Sequence, residues 1–113
     1  MGRLSTIKKK KEFTELFQSG TVFHDRYMVV YIASDPLPLL RYGVCVGKKI
    51  GCSVERNRIR RRLREIVRHA APELKTGCRL LVIARNTCKN APFNRIREEF
   101  HSICVKASIA LVT

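Results

Sequence analysis

The sequence predicts a single α+β domain, an α-β sandwich, and three observations carry that expectation. The chain has 113 residues, about the size of one ordinary domain. Helix-period and strand-period apolar patterns alternate in the order helix, strands, helix, strand, helix. No internal repeat and no linker breaks them, so residues 1–113 read as one unit. Hydrophobic residues make up 45%, enough to build a core without metal or disulfide staples.

The elements follow in order. Ser5 or Thr6 is placed to cap a first helix, in which Phe13, Leu16 and Phe17 share one face at i, i+3, i+4. Gly20 is its expected stop. Thr21 to Ala33, rich in Val, Tyr and Ile, reads as a strand. One of its faces holds Tyr27, Val29 and Tyr31, the other Met28, Val30 and Ile32, so neither looks solvated. The prolines of Asp35-Pro36-Leu37-Pro38 deny a ladder its donors and mark a loop. Arg41 to Gly47 is a second strand, and Gly47-Lys48-Lys49-Ile50-Gly51 a turn. Val54 to Ala71 is the clearest helix, stopped at Pro72. Leu80 to Ala84 is a short buried strand after Gly77. From about Pro92 a last helix aligns Ile96, Phe100, Ile103, Ala107 and Leu111.

Charge dominates the chemistry. Lys plus Arg number 23 against 9 Asp plus Glu, a formal net charge of +14. Such an excess faces a polyanion or repels itself, and nucleic acid is the leading partner, with an anionic membrane surface second. The charge is also localised. Residues 48 to 68 carry Lys48, Lys49, Arg56, Arg58, Arg60, Arg61, Arg62, Arg64 and Arg68 against Glu55 and Glu65, a window of +7. At about 100° per residue, Leu63, Ile66 and Ala70 fall within about 40° of Ile59, with Val67 at the edge. Asn57, Arg61, Arg64 and Arg68 fall on the opposite side. A solvated face normally mixes signs, whereas here Arg60/Arg64 and Arg64/Arg68 set like charges one turn apart. Arginine forks grip phosphate bidentately and stack on bases. With no helix-turn-helix pattern before the helix, structured RNA is a better fit than a DNA major groove.

A second basic stretch, Lys8 to Lys11, precedes Phe13 and Phe17. Aromatics beside lysines suit a single strand, whose bases stack in a positive groove. From residue type alone both phenylalanines suit a core somewhat better, Tyr31 equally suits a half-buried site with its hydroxyl satisfied, and the lysines suit a solvated segment. Protein-borne catalysis is not expected. The nine acids form no paired-carboxylate cluster for metal ions, and His24, His69 and His101 lack metal or acid/base spacing. His69 reads as a solvent or phosphate contact.

Cys45, Cys52, Cys78, Cys88 and Cys104 are odd in number and lack C-x-x-C spacing, so buried reduced thiols in a reducing compartment are expected. With no signal-like apolar stretch and no membrane-length window, a soluble cytoplasmic protein is expected, without a membrane partner. Two other classes share these features. One is a non-catalytic RNA-binding module of ribosomal type; the other is a membrane-surface amphipathic protein, which the narrow apolar arc disfavours.

Gly43 to Gly51, followed by Val54-Glu55-Arg56-Asn57-Arg58-Ile59-Arg60-Arg61, closely resembles the protein subunit of bacterial ribonuclease P. Arg61, Arg64 and Arg68 continue the motif, and Phe13, Phe17, Tyr31 and Ile83-Ala84-Arg85 also match, so the resemblance spans nearly the whole chain. Gly47 stands where many members carry a serine. The resemblance implies an αβββαβα order like the second domain of ribosomal protein S5, with a left-handed βαβ crossover. It implies a protein that binds a catalytic RNA, one protein per RNA, and assists removal of the 5′ leader from precursor tRNA. The RNA would hold the magnesium ions, leaving the protein without catalytic residues, metal or cofactor. The RNA-subunit contacts implied are Lys48, Lys49, Arg56, Asn57, Arg58, Arg60, Arg61, Arg64 and Arg68. The leader contacts implied are Lys9, Phe13, Phe17 and Tyr31.

Overall fold

The computed structural model describes residues 4–110. A five-stranded sheet in the order β1-β4-β5-β3-β2 lies between α1 on one face and α2 with α3 on the other. The strands are β1 (Leu4–Thr6), β2 (Thr21–His24), β3 (Met28–Ser34), β4 (Leu40–Cys45) and β5 (Cys78–Ala84). The helices are α1 (Lys10–Ser19), α2 (Ser53–Ala70) and α3 (Phe93–Lys106). β1 pairs parallel with β4 and β4 parallel with β5, while β3 is antiparallel to both β5 and β2. α2 is thus the crossover between parallel neighbours β4 and β5.

Helices on both faces explain why both faces of β3 are apolar. Met28, Val30 and Ile32 enter the main core with Ile59, Leu63, Ile66 and Val67 of α2 and Ile96, Phe100 and Ile103 of α3. Tyr31 and Ala33 face the smaller cluster of Ile7, Leu16 and Leu81 under α1. Alternation along β5 repeats this, with Leu80 and Val82 on one side and Leu81 on the other.

Four expectations need correction. Ser5 and Thr6 belong to β1, a strand too short to leave a periodic signal, and α1 starts at Lys10 with Lys9 at its cap. The αβββαβα order therefore gains a leading strand. The stretch Thr21–Ala33 is a hairpin. Its turn closes through Asp25, whose carboxylate accepts the Tyr27 N–H at 2.9 Å while its own N–H donates to Met28 O at 2.9 Å. Tyr27 therefore leaves its expected face and joins the main core. Cys52 is exposed and Cys45 half-buried, whereas Cys78, Cys88 and Cys104 are buried. Burial pushes the Cys88 thiol up to about 11 and Cys104 to about 12, so these two pack as apolar groups. All five are free of disulfides. Leu111 lies outside the described residues.

Candidate nucleic-acid interface

The basic turn is held from beneath. Ile50 is buried, so Lys48 and Lys49 stay exposed on a single 3-10 turn. Gly51 follows because a Cβ there would lie 2.2 Å from Glu55 Oε1. That space lets the Glu55 carboxylate accept the Cys52 N–H at 3.1 Å and close the start of α2. Lys89 holds the other oxygen of Glu55 at 3.1 Å. The Lys89 ammonium and the Cys52 N–H together keep Glu55 below the usual carboxylate range.

Along α2 the dry side is as the periodicity predicts, with Ile59, Leu63, Ile66 and Val67 buried. Asn57, Arg58, Arg61, Arg64 and Arg68 are exposed. Arg56 and Arg60 flank them, half-buried and tied to their own helix. Arg56 Nη2 donates to Ser53 Oγ at 3.2 Å, and Arg60 Nη1 to Asn57 Oδ1 at 2.6 Å. From Asn57 to Arg68 the ridge runs about 16 Å at the helical rise. Beside it lies a groove of about 560 Å³ lined by Val54, Asn57 and five of these arginines. Among the described residues no carboxylate lies within 4.0 Å of Arg58, Arg61, Arg64 or Arg68. Glu65 instead meets His69 Nε2 at 3.0 Å, so His69 is solvent-exposed but paired within its own helix. The ridge arginines keep all their donors for an external anion.

On the opposite face of the sheet, α1 packs over β3 and β5. Phe17 is 49% exposed and meets Tyr31 edge-on, ring centroids 5.0 Å apart. Phe13, one turn earlier, is half-buried against the cluster of Ile7, Leu16 and Leu81. It lies so close to Gly43 that a Cβ there would come within 2.6 Å of its ring. Phe13 is therefore partly core, and Phe17 is the open member of the pair. Lys9 is exposed at the cap of α1. The structure brings Phe13, Phe17 and Tyr31 together and sets the α2 ridge apart on the other side.

An ionic network at the foot of α1 escaped the sequence reading. Arg41 on β4 and Arg79 on β5 are register partners, two like charges side by side. Arg41 donates to the buried Asp35 at 2.6 Å and pairs with Glu12 at 2.5 Å, while Arg79 pairs with Glu15 at 3.1 Å. Burial would raise the Asp35 carboxyl. The Arg41 hydrogen bond, the Leu37 N–H and the charges of Arg41 and Arg79 outweigh it and hold Asp35 below its ordinary value. The i, i+3 spacing of Glu12 and Glu15 was the only available signal.

Among the described residues no group of three or more His, Cys, Asp or Glu could hold a metal ion, and no helix is long and apolar enough to cross a membrane. Fold and site together define a class: a small basic α+β protein with an arginine ridge on one side of a sheet and an open aromatic pair on the other.

The chain matches the family model Ribonuclease P over residues 1–108. It is 32% identical over 109 residues to the ribonuclease P protein component of Natranaerobius thermophilus, covering 96% of this chain and 95% of that one. It is 35% identical over 104 residues to that of Clostridium botulinum, covering 91% and 94%. The Staphylococcus aureus RNase P protein superposes with a TM-score of 0.84 at 27% identity, over 93% of this chain and 96% of that one. The chain belongs to the ribonuclease P protein family, as a protein component of an enzyme of tRNA processing.

Proposed function

We propose that this chain grips the ribonuclease P RNA with its α2 ridge and receives the 5′ leader of precursor tRNA in a cleft between α1 and the sheet, at Phe17 and Tyr31. The single observation that carries the RNA contact is the row Arg58, Arg61, Arg64 and Arg68, exposed and unopposed by any carboxylate among the described residues. Lys48 and Lys49 extend the row at the N-terminal end of α2, where the helix dipole also favours phosphate. Asn57, Arg56 and Arg60 brace it. Catalysis belongs to the RNA and its magnesium ions, and the protein contributes binding and positioning. One protein sits on each RNA, in the cytoplasm. Reconstitution tests this: a ribonuclease P RNA should remove the leader at low magnesium only when this protein is added. Unassisted cleavage at the same rate would refute it.

The leader assignment rests on Phe17 and Tyr31, with Lys9 adding charge and Phe13 supporting from below. Stacking on an aromatic contributes about 1–3 kcal/mol per base. Phe17→Ala should therefore weaken binding of leader-bearing precursor by roughly tenfold, with mature tRNA unchanged. Equal loss for both substrates, or a lowered melting temperature of several degrees, would make Phe17 a core residue.

A further inference from the structure

We propose that a groove at one end of the sheet is a phosphate-binding subsite for single-stranded RNA, filled when a leader extends past the Phe17–Tyr31 pair. This rests on the reading of the α1 cleft as the leader site. The groove has a volume of about 640 Å³. Its polar side chains are Ser19, Thr21, Ser34, Lys75, Thr76 and Arg79, two cations and four hydroxyls, and none of its lining residues is acidic. Cations and hydroxyls along such a wall suit phosphodiester oxygens.

Its position continues the cleft. Ala33 and Arg79 are register partners, as are Tyr31 and Leu81 two residues along. Two residues of strand advance about 7 Å on the same face, so Arg79 is one short step from the aromatic pair. Arg79 also has capacity to spare. Its buried Nε has no hydrogen-bond partner, and Nη1 faces Glu15 at 3.1 Å, a side chain 44% exposed, with Glu12 farther off at 3.9 Å. A phosphate can replace Glu15 there while that carboxylate turns to water. Glu12, paired with Arg41, keeps α1 in place meanwhile.

The groove wall is built before any ligand arrives. Lys75 N–H donates to Ile109 O at 2.7 Å, Gly77 N–H to Leu39 O at 2.7 Å, and Asp35 N–H to Gly77 O at 2.8 Å. Gly77 adopts φ +80°, which lets the chain reverse into β5. A preformed wall spares the ordering cost of binding.

The test uses the full chain bound to ribonuclease P RNA, titrated with mature tRNA, a short-leader precursor and a precursor with an extended leader. Lys75 is exposed and makes no side-chain ion pair among the described residues, so Lys75→Gln leaves the fold alone. It should lower affinity for the extended leader alone by roughly two- to fivefold, about the strength of one surface ionic contact. The log–log salt slope should fall by about 0.7. Arg79→Gln should act in the same direction, and Arg79→Lys should restore part of the loss. Phe17→Ala should weaken both leader-bearing substrates. Unchanged affinity in Lys75→Gln, with Phe17→Ala still active, would remove the groove and leave the cleft standing. Equal losses for all three substrates would assign the phosphate to the RNA subunit and overturn the proposal. A silent Phe17→Ala would remove the cleft reading and the groove with it.

Discussion

Replacing Arg61, Arg64 and Arg68 together with alanine should lower affinity for the ribonuclease P RNA by roughly a hundredfold at physiological salt. All three are exposed on α2 with no acidic partner among the described residues, so none carries a structural ion pair there. A charge-assisted contact to phosphate contributes about 1 kcal/mol or more, and three of them about 3 kcal/mol. The salt dependence is the sharper readout. Each phosphate contact removed should lower the log–log slope by up to about one unit. Alanine is the best helix former, and the buried stripe of Ile59, Leu63, Ile66 and Val67 is untouched, so the melting temperature should not fall. Filter binding across a salt series checks both quantities. A full slope with weakened affinity would mean that these arginines shape the helix and do not meet phosphate.

Arg41→Gln should destabilise the fold by about 3–5 kcal/mol, because it strands a buried charge. Asp35 has a side chain with no exposed surface and receives the Arg41 Nε–H at 2.6 Å. Removing the guanidinium also takes from Glu12 its close partner, leaving it Arg79 Nη1 at 3.9 Å as a weaker tie between α1 and the sheet. The pH dependence distinguishes this from simple loss of packing. In the native protein Asp35 sits below its ordinary value of about 3.9, so it binds fewer protons folded than unfolded. Its contribution to stability is thus fully present above about pH 4 and is lost as pH falls through the lower folded value. Without Arg41 the burial effect dominates and pushes the carboxyl up, so stability should begin to fall at a higher pH. Urea unfolding from pH 7 down to pH 3 reads this directly. Parallel curves for the two proteins would show that Arg41 acts through packing alone. Because Arg41 and Arg79 also anchor α1 over the sheet, the same variant should loosen Phe17 from Tyr31.

The ridge was legible because a helix repeats every 3.6 residues. Ile59, Leu63, Ile66 and Val67 fall on one side of α2 by periodicity alone, which forces Arg61, Arg64 and Arg68 to the other. The turn at Asp25 was not legible, since Tyr27 and Met28 continue an apolar run through it, and only the Asp25 carboxylate closing on the Tyr27 N–H reveals the break. The strand at Leu4–Thr6 was hidden for another reason. Its three residues are held by pairing with Leu40, Arg41 and Tyr42, and no local pattern encodes a partner that far away.

Phe13, Leu16 and Phe17 show where local reading ends. The spacing puts all three on one face of α1, and nothing in it separates core from cleft. Contact with the sheet separates them: Leu16 is fully buried, Phe13 leans on Gly43, and Phe17 is left half open against Tyr31. The Arg41–Arg79 pair and its carboxylates depend on the register of β4 and β5 in the same way. Residue type and local period thus set the arginine ridge, the thiol count and the charge of +14. Long-range pairing of strands set the cleft, the ionic anchor beneath α1 and the groove at Arg79, because burial and register are properties of neighbours distant along the chain.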